Sequence, residues 1–339
     1  MKSIDFDNDG DRDLLVGDRL RPFLYGVPVN ARLLENNGKG VYKDVTRNIA
    51  PDMMGLGMLT DAVIGDFDQD GDEDVMIVGD WMSPKLFMNV SGSLQIQPID
   101  VLDRISGLWN TIESGDFNND GFPDLMLGNH GLNNRFQATK IQPMSMYIND
   151  FDQNGTAEQI ICAYNGSKSY PLTQLADLTK QIPALKKKYN NYSQYENQTI
   201  EDIFTKEQLL NAIELKIQTL ESIVLINDQR GNFILGQLPK EAQFAPIYAI
   251  KINDFDGDGN ADAVIAGNMS QSKPELGIYK GSHGLFLKGD GHGKFVALNS
   301  RRSGIYSTCD VRDIKKIKIA GNNAILFANN NDNIEIFKY

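Results

Sequence analysis

The sequence predicts an all-β fold, a β-propeller of four-stranded antiparallel blades carrying one helical insertion. Three observations predict it. A nine-residue acidic pattern recurs five times in 339 residues, each copy stands between short apolar runs, and most copies are a blade's length apart. Repetition at such a period marks units too thin to bury their own faces, which must stack on one another.

The copies are DFDNDGDRD from Asp5, DFDQDGDED from Asp66, DFNNDGFPD from Asp116, DFDQNGTAE from Asp150 and DFDGDGNAD from Asp254. Each carries an acid or its amide at positions 1, 3, 5 and 9, and Gly at position 6. β-rich apolar runs lead in at 62–64, 147–148 and 249–252, and others follow at 14–16, 75–78, 125–127 and 263–266. Both flanks read as buried strands. The second run then closes on Gly and a polar residue, as in Gly17-Asp18, Gly79-Asp80, Gly128-Asn129 and Gly267-Asn268. Further strand pairs carry hairpin signals, Asn36-Asn37-Gly38 before 41–45 and Asp290-Gly291 before 294–298.

Loop spacings are 61, 50, 34 and 104 residues, then about 59 to a variant near Asp313. Six blades are favoured, within a range of five to seven, because the 34-residue gap leaves little room for a full blade. The whole of 1–339 is read as one propeller. Its last unit, 307–339, keeps the strand rhythm but has lost the acidic ladder, and reads as a degenerate, metal-free terminal blade. Residues 172–214 break the pattern: their apolar spacing is near 3.6, and Thr199 stands as an N-cap before Glu201 and Asp202. They are expected to be a helical insertion within the fourth blade, whose sheet would resume at 222–226 and 233–235. The insertion is either a packing ornament or a lid over a ligand.

Acidic side chains alternating with polar residues, bent at a glycine, let the oxygens of positions 1, 3, 5 and 9 and the carbonyl of position 7 converge on one ion. Hard oxygen donors in a flexible loop select calcium over magnesium. The expected ligands are Asp5, Asp7, Asp9, Asp11 and Asp13 in the first loop, and Asp66, Asp68, Asp70, Asp72 and Asp74 in the second. The third offers Asp116, Asn118, Asp120, Phe122 and Asp124. The fourth offers Asp150, Asp152, Asn154, Thr156 and Glu158, and its alternative is a hairpin held by hydrogen bonds alone. The fifth offers Asp254, Asp256, Asp258, Asn260 and Asp262. An EF-hand opens the same way but needs a bidentate Glu at position 12. Here that position is Val16, Ile77, Leu127, Ile161 and Ile265, all apolar and in strands.

The formal charge of −12 has the same source. Twenty-one of the 45 acidic residues lie in the five loops, and up to five Ca2+ ions would bring the protein close to neutral. Clustered Lys and Arg of the kind that binds nucleic acid are not expected. No apolar run of about 18 residues spans a membrane. The two cysteines, Cys162 and Cys309, are too few for a disulfide framework and are expected as unpaired, buried thiols. The first acidic loop begins where a signal peptide would stand, so the chain is read as a mature or truncated piece.

The loops and their flanking strands resemble FG-GAP or VCBS repeats, the calcium-loop blades of integrin alpha-chain propellers and of many bacterial secreted proteins. GNHGLNNRF from Gly128, QIPALKKKY from Gln181, LPKEAQFAPIYAI from Leu238 and the closing FANNNDNIEIF are similar to VCBS/ASPIC-UnbV-type surface proteins of Bacteroidetes. The resemblance implies calcium at positions 1, 3, 5, 7 and 9, an extracytoplasmic location, and a binding or adhesion role as part of a larger surface protein. Its partner would be a protein or glycan at the cell surface, met by a monomeric module without membrane insertion. Integrin ligand recognition is not implied, since no inserted metal-adhesion domain is present.

The function expected is thus a non-catalytic binding or scaffold module. The alternative is a calcium-dependent, lyase-like enzyme acting on polysaccharide. His130, His283 and His292, the only histidines, stand in no metal or triad spacing, and no GxSxG, HExxH or phosphate loop occurs. Trp81 and Trp109 fit core packing better than sugar stacking, and Arg135, Lys140 and Lys186 to Lys188 fit a solvated surface better than a glycan track. An inward cluster of acid, base, Arg or Tyr would favour the enzyme.

Overall fold

In the computed structural model, which describes residues 1–272 and 277–339, the strands form six antiparallel sheets. The first blade holds β1 (Lys2–Ile4), β2 (Asp13–Gly17), β3 (Ala31–Asn36) and β4 (Tyr42–Asp44). The second holds β5 (Met58–Gly65), β6 (Asp74–Met82), β7 (Lys85–Val90) and β8 (Ser93–Gln97), with β9 (Gly107–Leu108) pairing the end of β6. β10 (Thr111–Gly115) and β11 (Asp124–Gly128) open the third. The chain then leaves to build a separate sheet from β12 (Met144–Asn149), β13 (Glu158–Asn165), β14 (Lys168–Pro171) and β15 (Ile213–Ile217), in the order β14-β13-β12-β15. It returns as β16 (Ile223–Asn227) and β17 (Phe233–Gln237), which complete the third blade. The fourth holds β18 (Ile247–Asn253), β19 (Asp262–Gly267), β20 (Leu285–Gly289) and β21 (Phe295–Leu298), and a three-stranded sheet of β22 (Val311–Ile319), β23 (Asn322–Asn329) and β24 (Glu335–Lys338) ends the chain.

This corrects the expected course around the insertion. The strands at 223–227 and 233–237 do not continue the sheet of the fourth acidic loop: β16 pairs β11, with Leu125 opposite Leu225. The fourth loop's sheet is instead closed by β15 against β12, with Ile148 opposite Ile213. The short gap between loops three and four is therefore no cramped blade, because a whole sheet is inserted between the second and third strands of blade three. The short helices at Leu175–Gln181, Tyr192–Tyr195, Ile200–Ile203 and Lys206–Leu210 lie between β14 and β15. Thr199 caps one of them in a box with Asp202, and Thr205 caps the next with Gln208.

Parity along the second strand of each blade explains the stacking. β6 is buried throughout. Val75 and Ile77 pack with Ile4, Leu15 and Leu33 of the first blade, while Met76 and Val78 pack with Ile112, Leu125 and Leu127 of the third. Met126 on the other face of β11 meets Ile250, Ala263 and Ile265, and Val264 and Ala266 on the far face of β19 meet Ile314, Ile325 and Phe327. A strand covered on both faces reads as an unbroken apolar run. The innermost strands touch in the order β1, β5, β10, β18, β22. Five sheets thus stack as propeller blades. The inserted sheet lies outside that row: one face packs on its own helices through Phe151, Cys162 and Leu178, and the other covers Met58 and Trp81.

Trp81 and Trp109 are both core residues, 5% and 0% exposed. Both cysteines are free. Cys162 is buried, but Cys309 is half-buried rather than fully buried.

Candidate metal-binding loops

Each acidic loop joins the first strand of its sheet to the second, four of them on blades and the fourth on the inserted sheet. The chain turns left-handed twice, at position 4 (Asn8, Gln69, Asn119 and Gln153 at φ 58 to 61°) and at the glycine of position 6, as in Gly71 at φ 98°. Only glycine enters the latter region without a Cβ clash. The turns aim main-chain N–H groups at the acids. The position 7 N–H donates to position 5 in every loop: Asp11 to Asp9, Asp72 to Asp70, Phe122 to Asp120, Thr156 to Asn154 and Asn260 to Asp258, at 2.8 to 2.9 Å. In loops two to five the position 6 glycine donates to position 1, as Gly71 does to Asp66 at 3.0 Å.

The outcome is a convergence of carboxylates. Oxygens of Asp5, Asp7 and Asp13 lie within 4.8 Å of one another, as do those of Asp66, Asp68 and Asp70, of Asp150, Asp152 and Glu158, and of Asp254, Asp256 and Asp262. Each group could hold a metal ion. The donors are hard oxygens, and Asp5 Oδ1 is buried with no hydrogen-bond partner in the protein, as expected of a ligand oxygen. In the third loop, Asn118 and Gln229 both donate to Asp120 at 2.8 Å, so amides rather than acids surround that carboxylate. The fifth loop has a cation of its own: Lys288 Nζ reaches Asp256 and, at 2.7 Å, Asp258.

Position 9 does something the sequence reading did not assign to it. Its carboxylate is buried and holds the blade's own backbone. Asp74 accepts the N–H of Phe67 at 2.9 Å and of Asn89 at 2.7 Å; Asp124 accepts those of Phe117 and Asn227, both at 2.8 Å. Asp13 and Asp262 repeat the pattern with Phe6 and Asn36, and with Phe255 and Gly289. Burial, with the neighbouring loop acids, pushes Asp74 and Asp124 up to about 6 despite these bonds, and raises Asp13, Glu158 and Asp262 as well.

A second unforeseen feature ties blade to blade. Asn227 of blade three donates to the Phe67 carbonyl of blade two, and the Gly293 N–H of blade four to the Phe117 carbonyl of blade three. At the rim, position 4 of one loop reaches the next: Asn8 to Asp72, Gln69 to the Gly121 carbonyl, Asn119 to Asn260. A signal was available, since Asn36 and Asn227 close the third strands of their blades and Asn89 stands one residue before the end of its own.

This repeated strand, loop and strand is what a known repeat family describes. Residues 5–127 carry FG-GAP-like repeats. The match spans residues 5–77 and 66–127, the first two blades and the opening of the third. Beyond these FG-GAP-like blades the same loop geometry continues at Asp150 and Asp254. No curated protein matches the chain. Among solved structures it is similar to the V. cholerae biofilm matrix protein Bap1, at 9% identity over 97% of this chain and 73% of that one, with a TM-score of 0.30. It is also similar to the exotype rhamnogalacturonan lyase YesX, at 10% identity over 99% and 54%, TM-score 0.37, so the chain spans about half the length of that structure. A third likeness is to BBS1N in complex with ARL6DN, soaked with lead, at 10% identity over 99% and 90%, TM-score 0.26.

At the opposite end of the blades lies a polar cluster in which Asp80 and Trp81 are buried, Tyr25, Tyr248 and Arg312 are half-buried and Arg19 is exposed. Arg19 pairs with Asp80 at 3.1 Å, Tyr25 receives the Trp81 indole N–H at 3.1 Å, and the Arg312 guanidinium stacks on Tyr248, 4.2 Å from its ring centre. Burial pushes both phenols up and, despite Arg19, raises Asp80. His130 packs edge-on to Tyr279 at 4.6 Å, and burial lowers it to about 4. Among the described residues no helix is long and apolar enough to cross a membrane.

Proposed function

We propose that the protein is a calcium-loaded, non-catalytic binding module that works outside the cytoplasm, as part of a surface-attached assembly, with its ions as scaffold. The observation that carries this reading is the convergence of three carboxylates within 4.8 Å in four loops of one geometry. Without a cation such clusters repel themselves. Positions 1, 3 and 5, with position 9 where it converges, would hold the ion. Bound calcium would neutralise them and lock the rim that links one blade to the next.

The polar cluster at the other end bears on the enzyme alternative. Its acids and bases pair with each other, and its phenols are pushed away from neutral titration, the opposite of what a base needs. The larger surface cavities are lined by other residues. Acid, Arg and Tyr do stand together in the polar cluster, the kind of grouping that would favour the enzyme, but their mutual pairing leaves no free base, and the binding reading is preferred on that ground.

The test is thermal unfolding in calcium, in magnesium and in chelator, with metal content measured on the same sample. The expected result is bound calcium and a melting temperature several degrees lower in chelator, because a ligand of the native state stabilises it by mass action. A protein that carries no calcium and melts identically in all three would reject the reading. Unsaturated ends released from an acidic polysaccharide would instead establish the lyase.

A further inference from the structure

The inserted sheet and its helices enclose a cleft of about 540 Å³ that the metal loops do not use. That volume lies in the range of small-ligand sites. One wall is the segment 135–137, the floor is the β13–β14 hairpin, and the other wall is the chain leaving the helix Tyr192–Tyr195. The walls are fixed. The Tyr195 hydroxyl donates to the Thr173 carbonyl at 2.8 Å, Gln142 holds the Gly166 carbonyl at 2.9 Å, and Arg135 lies over the Phe136 ring at 4.7 Å. By strand register Tyr164 and Tyr170 leave opposite faces of the hairpin, yet both line the cleft, which therefore wraps the sheet's edge.

The side chains left unengaged define the ligand. Among the described residues, Asn165 and Asn197 make no side-chain hydrogen bond within the protein, and Arg135 and Glu196 form no ion pair. Tyr164 is 36% exposed. Aromatic faces interleaved with planar amides suit a molecule with apolar C–H faces and a rim of hydroxyls. An extended peptide would need the free edge of β14. Leu172 donates to the Ile161 carbonyl at 2.8 Å, so the strand's alternation turns Ser169 and Pro171 outward, and Pro171 has no N–H to give. A phosphate polymer would need more than one cation here.

We propose that this cleft binds an oligosaccharide, with Tyr164 and Tyr170 as stacking platforms and Asn165, Asn197 and Arg135 as hydrogen-bonding partners. The assignment rests on the reading of the protein as a binding module and names its site and ligand class. The test presents the full chain, in calcium, to an immobilised panel of neutral and uronate-bearing oligosaccharides, then measures hits by calorimetry. Tyr164→Ala and Arg135→Ala, both at exposed positions, should each weaken binding about three- to tenfold with an unchanged melting temperature. A silent panel, binding that survives both substitutions, or a peptide library captured through the same residues would overturn the proposal. A silent panel alongside a chelator-lowered melting temperature removes the cleft and leaves the calcium reading standing. Saccharide binding without any chelator effect does the reverse.

Discussion

Asn89 in the second blade donates its side-chain amide to the main-chain carbonyl of Phe6 in the first, at 2.7 Å, with both groups buried. Its own N–H is held by Asp74, so one residue joins the acidic loop's anchor to the neighbouring blade. Replacing Asn89 with Ala leaves the Phe6 carbonyl without that partner. The expected loss is about 1 to 3 kcal/mol, the cost of an unmade buried hydrogen bond. Denaturant unfolding should show it as a lower midpoint at constant slope, and Asn227→Ala, which frees the Phe67 carbonyl, should match it.

Positions 9 and 5 of a loop should separate when substituted. Asp74 is 0% exposed and bonds two main-chain N–H groups, whereas Asp70 stands at the exposed tip. Asp74→Ala should destabilise the protein in calcium and in chelator alike, by about 2 kcal/mol or more. Asp70→Ala should cost stability only when calcium is present. Melting curves of both variants in the two buffers check this, and equal behaviour would show that position 9 has no structural duty of its own.

His130 makes stability depend on acid. Its folded value of about 4 lies below the ordinary 6.5, so the unfolded chain binds the proton more tightly. The contribution is complete above pH 6.5 and is lost as pH falls toward 4, up to about 3 kcal/mol. His130→Gln should flatten that part of the curve of stability against pH, measured in excess calcium so that the loops stay loaded.

The loops and blades were legible because their determinants are local. Gly71 must sit where φ is positive, Asp66 and Asp68 must sit where the turned backbone returns, and the run after Asp74 must be apolar on both faces. Position 9 carries a second duty that was not legible: an acid at a fixed spacing looks the same whether its oxygens face only the loop or also hold main-chain N–H groups, as Asp74 holds those of Phe67 and Asn89. The course of residues 213–237 was not legible either. Ile-Val-Leu-Ile at 223–226 fits any sheet needing an apolar strand, and only the free edge of β11 selects it.

The sequence by itself determined the repeat, the acidic loops with their clustered oxygen donors and the presence of helices between 172 and 214, since each depends on residues a few positions apart. Tertiary structure alone decided that the fourth loop's sheet is an insertion into the third blade, that Asn89 and Asn227 tie neighbouring blades, and that segments near 135, 165 and 197 meet in one cleft. Those outcomes depend on which distant strand edges and faces remain uncovered once the local pieces form, and hydrophobic burial fills whichever is open.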